Sequence, residues 1–112
     1  MAKILLVEDE MLVRELALED LTDAGHEVTA AGTGDEALAI LQKDPRYDVL
    51  FTDIRMPGNI DGWELAEHAR QLAPAIRIVY ATGLNDDAGQ VRPDERMLTK
   101  PYRRNDLLGA LA

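Results

Sequence analysis

Tyr47-Asp48-Val49-Leu50-Phe51-Thr52 is an apolar run too short for a typical helix, and it ends in a carboxylate, Asp53. Short continuous apolar runs of this kind read as strands buried on both faces. Three other runs end in the same manner. Lys3-Ile4-Leu5-Leu6-Val7 leads into Glu8-Asp9, Ile76-Arg77-Ile78-Val79-Tyr80-Ala81 into Thr82, and Arg96-Met97-Leu98-Thr99 into Lys100-Pro101. In an open parallel sheet the C-terminal strand ends lie side by side, at the edge where ligands bind. Three carboxylates, a hydroxyl and an ammonium on one rim describe a site for a divalent cation and a phosphoryl group.

Helical patterns separate these strands. Met11, Leu12, Leu16, Leu18 and Leu21 recur near helical spacing over residues 10–24, and Gly25 follows as a stop. His26 to Ala30 is a weaker strand. Thr33 is placed to cap a helix over 34–43, with Glu36 as its capping-box partner and Ala37, Leu38 and Leu41 facing inward. Met56 to Gly62 is a turn-rich loop. Trp63 to Leu72 reads as a helix with Leu65, Ala69 and Leu72 toward the core, and Arg103 to Ala112 as a short final helix. Between Gly83 and Pro93 the run Asn85-Asp86-Asp87-Ala88-Gly89-Gln90 has poor helix propensity, so a fourth helix there is expected to be short or frayed. Strands alternating with helices require right-handed crossovers, and so an α/β fold with a parallel sheet covered on both faces.

Composition narrows the function. The chain has 112 residues, 46% of them hydrophobic, enough for one domain spanning 1–112 without a staple. It has no cysteine, which removes disulfides and thiolate metal sites. Twelve basic against twenty-one acidic residues give a net charge of −9, which disfavours nucleic acid as a partner. No apolar run approaches the ~20 residues of a membrane helix, and Met1-Ala2-Lys3 runs straight into a strand without a signal peptide. The expectation is a cytoplasmic protein that does not engage membranes.

The rim residues suggest separate tasks. Adjacent Glu8 and Asp9, with Asp53 on the neighbouring strand, offer the oxygen donors that Mg²⁺ prefers. An ionised Asp can attack phosphorus to form an aspartyl phosphate, and the charge on the transferring oxygens calls for a cation such as Lys100. An X-Pro bond adopts cis at modest cost, and a cis Lys100–Pro101 bond would aim Lys100 across the rim. Thr82 offers a hydroxyl to a phosphoryl oxygen.

Together, Val7-Glu8-Asp9-Glu10, Phe51-Thr52-Asp53-Ile54-Arg55-Met56-Pro57-Gly58, Asp61-Gly62-Trp63-Glu64-Leu65, Ala81-Thr82-Gly83 and Lys100-Pro101-Tyr102 resemble the receiver domain of two-component response regulators, across essentially the whole chain. The resemblance implies a flavodoxin-like sheet of strand order 2-1-3-4-5. It implies Asp53 as phosphoacceptor, and Mg²⁺ held by Glu8, Asp9, Asp53 and the backbone carbonyl of Arg55. Thr82 and Lys100 would grip the phosphoryl group. The implied partners are a sensor histidine kinase or histidine phosphotransfer protein and a downstream protein target, with the chain a monomer or a phosphorylation-dependent dimer. The absence of an effector region points to a single-domain regulator; a receiver of a hybrid kinase or a phosphorylation-independent adaptor would share these motifs.

Some residues depart from the pattern. The family usually carries Tyr or Phe three residues before the lysine, where this chain has Met97, an adaptable packing residue. Tyr80-Ala81-Thr82-Gly83 resembles the Phe-Ala-Thr-Gly-Tyr subgroup, except that Leu84 stands at the trailing position. Tyr80 itself reads as a strand core residue and Trp63 as partly buried packing. The short span from Thr82 to Lys100 suggests a remodelled face around the fourth helix and fifth strand. Phosphatases with an aspartyl intermediate want an acid two residues after the nucleophile, where this chain has Arg55, and a P-loop is absent.

Overall fold

The computed structural model describes residues 1–83 and 88–111. Five strands and four α-helices alternate among them: β1 (Lys3–Val7), α1 (Met11–Asp23), β2 (Glu27–Ala31), α2 (Gly34–Lys43), β3 (Val49–Asp53), α3 (Gly62–Leu72), β4 (Arg77–Thr82), β5 (Arg96–Thr99) and α4 (Arg104–Leu111). The strands form one parallel sheet in the order β2-β1-β3-β4-β5. This is the doubly wound, flavodoxin-like α/β fold expected from the sequence.

Alternation along each strand builds two cores. Leu5, Val7, Leu50, Ile78 and Tyr80 point to the side where Leu41 of α2 and Leu65 and Ala69 of α3 pack. Ile4, Leu6, Val49, Phe51, Val79 and Ala81 point to the other, against Ala17 and Leu21 of α1 and Leu107 of α4. All five residues of β3 are buried, which explains why its sequence is apolar throughout up to Thr52 and Asp53.

The helix ends follow local chemistry. Thr33 caps α2 by accepting a hydrogen bond from the Glu36 amide at 3.1 Å. The Glu36 carboxylate accepts from the Gly32 amide at 3.3 Å, so the capping box expected there is shifted by one residue. A complete capping box opens α3 instead: Asp61 accepts from the Glu64 amide at 2.9 Å and Glu64 from the Asp61 amide at 3.4 Å.

One expectation about packing changes. Leu72, in the last turn of α3, is 38% exposed rather than in the core, which on α3 takes Leu65, Ala66 and Ala69. On α1 the apolar residues divide between two faces. Leu21 is buried with Ala17, while Met11, Leu12 and Leu16 are 66%, 71% and 56% exposed. Between β4 and β5 the described residues contain one 3-10 turn, Ala88–Gln90, and no α-helix. Leu84 and Asn85-Asp86-Asp87 lie outside the described residues. Met97 is half-buried against the core that contains Tyr80.

Candidate functional site

Glu8 follows β1 directly and is 2% exposed; its amide donates to the Ala31 carbonyl of β2 at 3.1 Å. One carboxylate oxygen, Oε2, accepts from the Glu10 amide at 3.0 Å, in the turn that starts α1. Asp53 is the last residue of β3, and the chain leaves it with the Ile54 amide bonded to the Ala81 carbonyl at 3.1 Å. Lys100 follows β5, and its amide donates to the Thr82 carbonyl at 2.7 Å. The Lys100–Pro101 bond is cis. The side chain crosses to the two acids: Nζ lies 2.6 Å from Glu8 Oε1 and 2.7 Å from Asp53 Oδ1.

Asp9 completes the cluster from the solvent side. Ligand atoms of Glu8, Asp9 and Asp53 all lie within 4.8 Å of one another, with Glu8 and Asp53 buried and Asp9 exposed. These are hard oxygen donors grouped closely enough for one small dication. Arg55, Thr82 and Gly83 join Asp9, Asp53 and Lys100 around an open cleft of about 180 Å³. The fold therefore brings every predicted site residue to one rim.

Three carboxylates share this rim with the Lys100 ammonium. Burial, followed by the hydrogen bond to Glu8, pushes the Asp53 carboxyl up to about 8 despite the opposing pull of Lys100. Burial works against the charge of Lys100, yet its bonds to Asp53 and Glu8 outweigh it and raise the ammonium to about 12. A dication at the three acids would add positive charge beside them.

Two supports escaped the sequence reading. Gly62 begins α3 directly beneath Asp53: its amide donates to the Ile54 carbonyl at 2.8 Å. A Cβ at Gly62 would overlap the Asp53 carbonyl oxygen and stand 2.7 Å from the Ile54 Cα. The Asp61-Gly62 pair was legible as a turn, but only the folded chain shows which backbone it must admit. Arg14 of α1 donates from Nη1 to the Glu8 carbonyl at 2.9 Å, tying the helix to the rim. Beside the cleft, a groove of about 570 Å³ runs along α1 past Val13, Leu16, Ala17, Pro101 and Tyr102 to Lys100.

None of the described helices is long and apolar enough to cross a membrane. Residues 4–112 match the family model described as the response regulator receiver domain. The chain is 37% identical to the response regulator receiver protein CpdR of Brucella abortus, over 99% of this chain and 94% of that protein. It is also 35% identical to part of the sensor kinase CckA of the same organism, covering 78% of this chain and 9% of the kinase. A crystal structure of a response regulator receiver protein from Sinorhizobium medicae superposes with a TM-score of 0.91 at 36% identity, over 97% of this chain and 90% of that one. Motifs, strand order, the acidic rim and these likenesses converge: the chain belongs to the response regulator receiver domain family of two-component systems.

Proposed function

We propose that this receiver accepts a phosphoryl group on Asp53 in a Mg²⁺-dependent reaction and signals through protein contacts. The observation that carries the reading is the buried Asp53 carboxylate, ion-paired to Lys100 and adjacent to Glu8 and Asp9. Glu8, Asp9, Asp53 and the Arg55 carbonyl would hold Mg²⁺. When bound, that ion neutralises charge on the carboxylates and on the phosphoryl oxygens.

In the transfer, an Asp53 carboxylate oxygen forms a bond to phosphorus while the bond from phosphorus to the donor imidazole nitrogen breaks. The imidazole leaves with that electron pair and takes up a proton. Lys100 moves its ammonium from Asp53 to a phosphoryl oxygen, and the Thr82 hydroxyl donates to another. Histidine kinases or phosphotransfer proteins supply the phosphohistidine. Such a donor must bring its imidazole over the rim, and the exposed Met11, Leu12 and Leu16 beside it offer an apolar footing. A cytoplasmic location accords with this chemistry.

Incubation with acetyl phosphate and Mg²⁺, followed by intact mass measurement, tests the reading. The wild-type chain should gain one phosphoryl group, Asp53→Asn none, and a chelator should suppress the gain. Labelling of Asp53→Asn at the wild-type level would assign the acceptor elsewhere.

A further inference from the structure

A second buried polar cluster lies away from the cleft. Arg70 of α3 donates to Glu95 Oε2 from Nε at 3.0 Å and from Nη2 at 2.7 Å. The Glu95 side chain is 4% exposed and that of Arg70 18%. The Tyr80 hydroxyl is the third member: it accepts from Arg70 Nη2 at 3.0 Å and donates toward Glu95 Oε1 at 3.4 Å. Burial, then the Glu95 carboxylate, pushes the Tyr80 hydroxyl up to about 12, so it keeps its proton as a donor at neutral pH. The same Glu95 oxygen accepts from the Arg92 amide at 3.0 Å. Trp63 lies against the Tyr80 ring, with centroids 4.6 Å apart.

Two strands connect this cluster to the carboxylate rim. Tyr80 and Thr82 are two residues apart on β4 and share one face of the sheet. Glu95 and Lys100 immediately flank β5, a four-residue strand whose neighbour in the sheet is β4. β5 is thus an edge strand with an anchored side chain beyond each end, Glu95 in the second cluster and Lys100 between Glu8 and Asp53. The Lys100 amide on the Thr82 carbonyl joins the two strands at the rim. In the second cluster, ring and carboxylate from these same strands meet on Arg70.

We propose that Arg70, Tyr80 and Glu95 are a latch that positions β5, and through it Lys100, and that filling the carboxylate site shifts this latch and the α3 surface around Trp63. The proposal rests on Asp53 receiving a phosphoryl group. Lys100 leaves two carboxylates for phosphoryl oxygens in that event, and the backbone that carries it is held at its other end by Glu95. Because such coupling is reciprocal, loosening the latch also weakens the grip on the phosphoryl group. The three latch side chains touch no reacting atom and act as positioning residues. The arrangement gives a route from rim to surface that does not require an aromatic ring at Met97.

Trp63 is the only tryptophan of the chain and reports on the latch directly. The experiment adds Mg²⁺ and beryllofluoride to the full chain, follows Trp63 emission, and measures occupancy independently by the ¹⁹F resonance of bound beryllofluoride. In the wild type, emission should change in step with occupancy. Tyr80→Phe, which keeps the ring, and Glu95→Gln should lose at least half of that change at saturation. Each should also require roughly fivefold or more beryllofluoride for half-occupancy, a loss of the size common in allosteric coupling. Arg70→Lys keeps the charge without the fork and replaces either variant that fails to fold by circular dichroism. Occupancy with unchanged wild-type emission overturns the latch while sparing the phosphoacceptor reading. So does a full-sized emission change in all folded variants. Absence of a bound ¹⁹F signal in the wild type overturns the phosphoacceptor reading, and the latch with it.

Discussion

The molecule contains two buried clusters of charge, one at the C-terminal rim of the sheet and one between α3 and the segment entering β5. In the second, Arg70 is matched by Glu95, with Tyr80 supplying a neutral hydroxyl between them. In the first, Lys100 pairs with Glu8 and Asp53, and Asp9 stands beside them, so three carboxylates crowd around one ammonium. A buried pair satisfied from within holds elements together and needs no ligand. Crowding acids of one sign around two buried carboxylates is costly in a low-dielectric setting, and a cation from outside would offset that cost. On the proposed reading, the first cluster is receptive and the second structural.

Four perturbations test that contrast. Gly62→Ala strikes the receptive cluster through its floor, since the added methyl has to displace the Asp53 and Ile54 backbone. On the order of 3 kcal/mol of stability should be lost, measured by urea unfolding; wild-type stability would show that the floor is compliant. Mg²⁺ should stabilise the folded state, by about 2.7 kcal/mol at a hundredfold excess over its Kd, read as a higher Tm. The pH dependence sharpens this. Without the ion, the folded Asp53 carboxyl titrates at about 8, well above the roughly 3.9 of an unfolded Asp. The stability due to that retained proton is complete below about pH 4 and is lost as pH rises through about 8. Stabilisation by Mg²⁺ should therefore grow over the same interval, and a stabilisation independent of pH would contradict the crowding of acids.

Glu95→Ala breaks the balanced cluster. Removing one partner of a buried pair costs about 3–5 kcal/mol, but Arg70 also bonds Glu67 Oε2 at 3.1 Å and is partly exposed. The expected loss by urea unfolding is on the order of 2 kcal/mol, with little change in Mg²⁺ affinity. The smallest effect on folding belongs to Leu16→Glu on the outward face of α1, within about 0.5 kcal/mol. That variant should accept phosphate from acetyl phosphate at the wild-type rate yet slow transfer from a phosphohistidine protein. Equal slowing of both would place Leu16 in the site rather than on its approach.

The fold and the rim were legible because both are written in short stretches. Continuous apolar runs ending in Glu8-Asp9, Asp53, Thr82 and Lys100 fix strands and their polar ends at once, while the strand order came with the resemblance to the receiver family. What escaped depends on distance. Arg70 and Glu95 are 25 residues apart with no local signature, so nothing in the sequence pairs them. Leu12 and Leu16 satisfy helical spacing, but spacing does not say which face meets the sheet, and the stripe that does is Ala17 and Leu21. The segment before β5 read as a poor helix from its composition, and its described part is a single 3-10 turn.

The close seating of Gly62 under Asp53 has a mechanical corollary. The first turn of α3 abuts the backbone that carries the Asp53 carboxylate, with no side chain between them to compress or rotate. Pressed from above, Asp53 would meet this backbone behind it. On the proposed reading, room for an arriving group would come from the opposite wall, where β5 is short, lies at the margin of the sheet and pairs with one strand, β4. The stiffness of one side of the cleft thus assigns the yielding to the other.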